Sequence, residues 1–393
     1  MRFLFIVNSN GLSDKLGGSI SRTINLAREI ERKGHKIYFL TTSGGFSACK
    51  KAGLTGNFYV LPSSFGREYE ISLFDRALSY VISTIACIPK ISQLPEVDVI
   101  YTDSDYFCDT IPALLYKKRT KISKWLASFY HFIPPPSKRP GGITLLNILS
   151  HVTQQFSLRL IGLNAELVAT ETIFTKSELS ETRYLTNTKI VAIQSGINPK
   201  FIDAIDWTKG KKYDACYLGG LRRTKGILDL IKAWPNVCKH IKTAKLAIAG
   251  NIASVSLTEV HSELQKLGIE TNVDVLGFLS EEEKYKLLKA SRLYVLPSFE
   301  EGIPITFYEA MYCELPIITY FLPPYQEITE FITTVPLGNT EMLSEAIIQL
   351  LDDDILSKKY RVKGKLFSKM HTWDDVADYL LNQLTIPNNT QTG

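Results

Sequence analysis

Residues 295–320 read VLPSFEEGIPITFYEAMYCELPIITY, and their punctuation sets the architecture of the second half of the chain. A buried, β-branched run ends at Pro297-Ser298, and a loop then carries Glu300, Glu301 and Gly302. Pro304 opens a helix at the first helical position, where its missing N–H is not needed. The residues PIIT at 316–319 that follow form another strand. Strand, loop, helix and strand in this order are the repeating unit of parallel α/β sheets. Glu309 falls inside the helix, eight residues after Glu301. Two carboxylates at the mouth of such a unit can accept hydrogen bonds from sugar hydroxyls, and the bare amides of the helix start suit an anion. Taken alone, Glu300 and Glu301 also fit a simpler role, favouring the positive end of a helix.

Working outward, the same alternation fills the chain. Downstream of residue 212 the pattern predicts strands at 213–218, 245–249, 273–276, 292–296 and 316–319, separated by helices at 225–238, 257–267, 281–289 and 304–313, with a helical tail past about 354. Upstream it predicts strands at 2–7, 36–40, 57–61, 98–102, 122–129, 166–169 and 189–193, with a helix from about Ser19 to Lys33 stopped by Gly34. Residues 198–212, with Pro199 and a KGKK run, read as a linker. A length of 393 residues fits two domains. We therefore expect an N-terminal Rossmann-like domain over 1–198 and a C-terminal one over 199–371, with a C-terminal helix at about 372–386 packing back on the first. Ligands of such sheets bind beyond the carboxyl ends of the strands, and the cleft between two domains is the default site.

A second segment, YLGGLRRTKGILDLIKAW at 217–234, is a strand, a Gly-Gly turn and then a helix. Arg222, Arg223 and Lys225 at that junction can neutralise a diphosphate, although a basic turn is more often merely solvated. The GxxxxGK[ST] spacing of a P-loop is missing.

Composition removes other classes. Hydrophobic residues make up 45% and charged residues 22%, which supports a packed core. Residues 1–200 carry 24 basic and 15 acidic side chains, and the remainder 21 and 25, so the basic excess sits in the first half. That excess is too small for a nucleic-acid footprint but can face phosphates or an anionic membrane. The opening apolar run is too short for a signal peptide, and the uncharged stretch 77–89 is too short to span a bilayer. Residues 140–158 read as an amphipathic helix. The six scattered cysteines lack a CxxC pair and read as reduced thiols of a cytoplasmic protein. Asp103 and Asp105 form an Asp-x-Asp after a strand, a spacing that can hold a metal–diphosphate, but the two-sheet organisation argues against that use. No GxGxxG follows the first strand, which removes a dinucleotide dehydrogenase.

Together the motifs resemble those of a retaining family-4 glycosyltransferase of the GT-B fold, and the resemblance runs through most of the chain. LGGLRRTKG resembles the family's "GRL…KG" phosphate segment, and PSFEEGIPITFYEAM its "PS…EG…EAM" segment with the Glu-x7-Glu pair. CELPIITY resembles "CGLPVI", QSGIN at 194–198 resembles "NGVD", and Trp373 has a counterpart near the family's C-terminus. GGSISRTINLAREIERKGHKIYFLTT more loosely resembles the family's opening.

The resemblance implies two Rossmann-like domains facing across a central cleft and an enzyme that moves a sugar from a nucleotide-diphosphate sugar to an acceptor hydroxyl. It implies that Glu309 binds the ribose, and that Glu301 contacts the transferred sugar. Lys225, with Arg222 or Arg223, would hold the diphosphate and stabilise its developing charge. Gly302 and Ile303 would lie by the donor, and the backbone around Phe278 and Leu279 by the nucleobase. In the first domain, Gly17 and Gly18 would let a loop approach donor or acceptor, and His131 would touch the donor sugar. No metal or other cofactor is implied. The acceptor is expected to be lipid-linked or a glycan, as in polysaccharide, glycolipid or glycoprotein glycan synthesis. The basic first domain, with LYKKRTKISK at 115–124, is expected to contact an anionic membrane from its cytoplasmic face. Three positions depart from the pattern: Gly220 replaces the phosphate-segment arginine, Glu314 the glycine of "CGLP", and Ser195 the asparagine of "NGVD". A nucleotide-sugar epimerase or a non-catalytic nucleotide-sugar-binding protein on the same fold is the alternative reading.

Overall fold

The computed structural model describes residues 1–9, 18–62, 73–121, 123–139, 142–252 and 254–385. The chain forms two compact units, Met1–Gln194 together with the segment from Trp373, and Ser195–Thr372.

In the first unit the elements run β1 (Arg2–Val7), α1 (Gly18–Arg32), β2 (Lys36–Thr42), α2 (Ser43–Lys51), β3 (Asn57–Leu61), α3 (Leu73–Ile91) and β4 (Val99–Thr102). They continue with α4 (Phe107–Thr120), β5 (Lys124–Ser128), α5 (Leu145–Asn164), β6 (Leu167–Thr170), α6 (Ile173–Ser180) and β7 (Lys189–Ala192). The strands make one sheet in the order β3-β2-β1-β4-β5-β6-β7, and every pairing is parallel. Such strands are buried on both faces, which is why β1 reads RFLFIV without alternation.

The second unit runs α7 (Pro199–Ala204), β8 (Tyr213–Leu218), α8 (Ile227–His240), β9 (Leu246–Ala249), α9 (Leu257–Leu267), β10 (Val273–Gly277) and α10 (Glu281–Lys289). It closes with β11 (Ser291–Val295), α11 (Ile305–Tyr312), β12 (Ile317–Tyr320), β13 (Thr333–Val335), α12 (Thr340–Asp352) and α13 (Asp354–Lys369). Its sheet, ordered β10-β9-β8-β11-β12-β13, is also parallel throughout. The last helix, α14 (Trp373–Thr385), belongs to the first unit. Asp374 and Asp378 pair with Lys33 at 2.5 and 2.7 Å. At its other end Lys124 and Lys189 donate to the carbonyls of Leu384 and Gln383, where a helix end favours cations.

Several local readings shift. Residues 198–212 are not a bare linker: Asn198 caps α7, and Ile202 is buried in the second unit's core. Pro304 is the residue before α11, in extended conformation, and not its first helical residue. The helix read from 225 begins at Ile227, because Arg223–Lys225 form a single 3-10 turn that ends on left-handed Gly226. His131 lies three residues past the end of β5, in a loop. All six cysteines are free thiols. Among the described residues, no helix is long and apolar enough to cross a membrane.

Candidate functional site

In the second unit the strand order reverses between β8 and β11, so their carboxyl ends open a crevice that neither connection covers. The two sequence segments singled out above leave from these two strands. Gly219 and Gly220 follow β8, and two close backbone approaches fix the turn there. A Cβ on Gly250, after β9, would lie 1.7 Å from the Gly219 carbonyl oxygen. A Cβ on Gly226 would lie 1.9 Å from the Pro297 carbonyl oxygen, and its φ of 69° already excludes most side chains. Glycine at 226 thus lets the start of α8 press against the loop after β11. The amide of Phe299 donates to the Thr224 carbonyl at 2.8 Å and ties the same two loops together.

This contact places cation and carboxylate side by side. Lys225 Nζ pairs with Glu301 Oε1, with the two side chains 25% and 15% exposed. Ser298, fully buried, donates to the same oxygen at 3.3 Å. The arginines diverge. Arg223 turns to α9 and pairs with Glu259 at 2.5 Å. Arg222 folds over the Gly-Gly turn, its Nε 3.5 Å from the position a Cβ would take on Gly220. Gly302 and Ile303 are buried in the loop that leads to α11, whose amide end carries no side-chain cap. Phe278 and Leu279 follow β10 at the same edge of the sheet, with the Phe278 ring 45% exposed.

Glu309, on α11, is only 6% exposed. Its Oε1 accepts from Lys284 Nζ at 2.6 Å and from the Tyr285 hydroxyl at 2.9 Å, while Oε2 is buried without a partner. Sequence reading missed Lys284 and Tyr285. They sit in a charged run, EEEKYK, whose plain reading is a solvated helix face, and only their hydrogen bonds to Glu309 on α11 reveal their target.

In the first unit the corresponding crevice lies between β1 and β4. Gly17 falls outside the described residues, and Gly18 is the first residue of α1. His131 is exposed; Gln154 of α5 accepts from the Ile133 amide at 2.7 Å and donates to the His131 carbonyl at 3.0 Å, holding that loop. The Asp-x-Asp carboxylates are turned inward. Asp103 is bonded by Thr23, and Asp105 accepts from Gln154 at 2.8 Å. Asp109 accepts from Ser9 and Ser104 hydroxyls, both at 2.6 Å, and from the Asn8 amide at 2.7 Å. Burial pushes the carboxyl of Asp105 up to about 6 and, with Asp103 nearby, that of Asp109 up to about 7. Among the described residues no group of three or more His, Cys, Asp or Glu could hold a metal ion.

The family model for glycosyl transferases group 1 matches residues 201–367, which is almost the whole second unit. An uncharacterized glycosyltransferase of Methanocaldococcus jannaschii is 30% identical over 164 residues, 40% of this chain and 35% of that protein. The alpha-galactosylglucosyldiacylglycerol synthase of Streptococcus pneumoniae is 26% identical over 156 residues, 39% of this chain and 40% of that one. The chain is thus aligned over about two fifths or less of these relatives' lengths. Among solved structures, Anabaena HepE in complex with UDP and glucose superimposes with a TM-score of 0.74 at 15% identity, covering 98% of this chain and 99% of that one. The second unit is thus similar to the group 1 glycosyl transferases over residues 201–367, and the chain has the GT-B fold.

Proposed function

We propose that this protein is a glycosyltransferase that moves a sugar from a nucleotide-diphosphate donor to an acceptor hydroxyl, with retention of anomeric configuration. The observation that carries the reading is the Lys225–Glu301 pair at the second unit's strand-order reversal. A donor satisfies both partners at once. Its diphosphate takes the ammonium as a counter-charge, and hydroxyls of its sugar donate to the released carboxylate. Arg222, folded over the Gly-Gly turn, is assigned to assist, and Arg223 pairs with Glu259. The unblocked amides at the start of α11 add a further cradle for the leaving diphosphate. Glu309 takes the ribose, the backbone at Phe278 and Leu279 takes the base, and Gly302 and Ile303 line the donor loop. The reaction is assigned to these side chains and dipoles, with no metal.

Retention is what the resemblance of the 295–320 segment to retaining family-4 glycosyltransferases implies. The acceptor is a lipid-linked or glycan hydroxyl, met where the first unit touches an anionic membrane surface. Two features support this placement. Helix α3 exposes Leu78, Val81, Ile85 and Ile88, and α5 exposes Leu145, Leu149, Val152 and Phe156, each at helical spacing. Lys118 and Arg119 lie exposed at the end of α4, against which both helices pack.

A thermal-shift screen of UDP-, GDP- and ADP-sugars tests the donor reading. At least one member is expected to raise the midpoint, and proton NMR of the product formed with it then reports the anomer. A panel in which nothing binds contradicts the proposal. Flotation with anionic vesicles at low and high salt tests the membrane contact, and no binding at low salt rejects it.

A further inference from the structure

Helix α10 begins immediately beyond the residues at the base-binding edge, and its start is rigidly set. Ser280 Oγ accepts from the Glu283 amide at 3.3 Å, and Glu283 Oε2 accepts from the Ser280 amide at 2.8 Å, a reciprocal cap. The next two residues reach across to α11. Lys284 Nζ and the Tyr285 hydroxyl converge on one oxygen of Glu309, and the ammonium also sits 4.4 Å from the centre of the Tyr285 ring. Tyr285 is 2% exposed, and burial, with the Glu309 charge beside it, pushes its phenol well up, so it stays a donor. A buried carboxylate without a cation is costly, and here the cation saturates Oε1 alone. Oε2 keeps its full acceptor capacity and has no partner.

We propose that Lys284 and Tyr285 are positioning residues for the nucleotide: they fix the Glu309 carboxylate through Oε1, leaving Oε2 as the atom that accepts from the ribose hydroxyls. The inference rests on the assignment of Glu309 to the ribose. It separates two roles at the donor site. The diphosphate is held by Lys225 and Arg222, so losing Lys284 removes the preference for ribose and leaves phosphate-driven binding in place. A purely structural tie between α10 and α11 would change the unfolding midpoint and leave that preference intact.

The test is calorimetric titration of the full chain with UDP, GDP and ADP and with their 2′,3′-dideoxy forms. Wild type is expected to bind at least one ribonucleotide about ten-fold or more tighter than its dideoxy counterpart, as befits hydrogen bonds to a charged acceptor. Lys284→Met should bring that ratio within about three-fold by weakening the ribonucleotide alone, while Lys284→Arg keeps the wild-type ratio. If Lys284→Met retains the wild-type ratio while Glu309→Gln loses it, the positioning role is wrong and the ribose assignment stands. If Glu309→Gln retains the ratio, the assignment falls and the positioning role with it. Should Lys284→Met fail to fold, Tyr285→Phe carries the test: a ratio lowered by about three-fold supports the role, and an unchanged one overturns it.

Discussion

Both sheets reverse strand order once, between β1 and β4 in the first unit and between β8 and β11 in the second. The same topology therefore opens a crevice in each, but the side chains that line the two differ in kind. At the second unit's reversal, Lys225 and Glu301 are partly exposed and paired with each other, a pairing that a charged ligand can replace. At the first unit's, Asp103, Asp105 and Asp109 are buried and already bonded to Thr23, Gln154, Ser9 and Ser104. Acidic residues at a strand end are thus no guide to function until their partners are known. A carboxylate wrapped in the chain's own hydroxyls and amides holds loops together. One that shares an exchangeable cation is available to a substrate.

This contrast can be broken by mutation. Lys225→Ala should lower turnover by about 10²–10³-fold, the cost of one lost donor to a developing oxyanion. Its stability should change by no more than about 1 kcal/mol, because the pair is partly exposed. An active Lys225→Ala enzyme would remove that residue from the reaction. Glu309→Ala should weaken nucleoside-diphosphate binding by about 1–3 kcal/mol in titration calorimetry, the range for charge-assisted hydrogen bonds. Asp105→Asn, at the other crevice, should leave that affinity unchanged, and a comparable loss there would erase the distinction drawn between the units.

The two crevices should also respond differently to pH. Burial raises the Asp105 and Asp109 carboxyls to about 6 and about 7, so folding favours their neutral forms. Their contribution to stability is full below the unfolded carboxylate value near pH 4, and it is lost as pH climbs through about 6 and 7. Wild type should therefore lose stability from pH 5 to pH 8, on the order of 1–3 kcal/mol through Asp109. Asp109→Asn, which keeps an oxygen to accept from the Asn8 amide, should flatten most of that slope in denaturant titrations. A slope unchanged by the substitution would show that Asp109 is not its source. The smallest effect expected is none: turnover should persist in EDTA, and loss restored by Mn²⁺ would return the Asp103/Asp105 pair to consideration.

Much of the second unit is legible in the sequence because its strands are short β-branched runs bounded by glycine and proline. The segments 213–218, 257–267 and 281–289 fall where periodicity puts them. Boundaries blur where backbone geometry decides. Nothing local marks Gly226 as left-handed; the collision of a Cβ with Pro297, distant in sequence, does. Asn198–Ala204 reads as linker because a capped six-residue helix, anchored by Ile202, is too short to show a period. Glu314 takes a φ of 59°, the left-handed conformation for which the family pattern has glycine, and it pairs with Lys365, so the backbone is kept while the residue is changed. At the candidate site, residue types and spacing single out Lys225, Glu301 and Glu309 as candidates. They cannot apportion Arg222 and Arg223, which are adjacent in sequence and point to different neighbours. They also give no sign of Lys284, whose partner lies 25 residues away on another helix.

The most direct test of the account is a crystal structure of the full chain with whichever nucleotide sugar stabilises it. The account predicts the diphosphate beside Lys225 and the first turn of α11, with the Lys225–Glu301 pair opened and the ribose against Glu309. A diphosphate bound instead at the loop of Asp103 and Asp105 would contradict it.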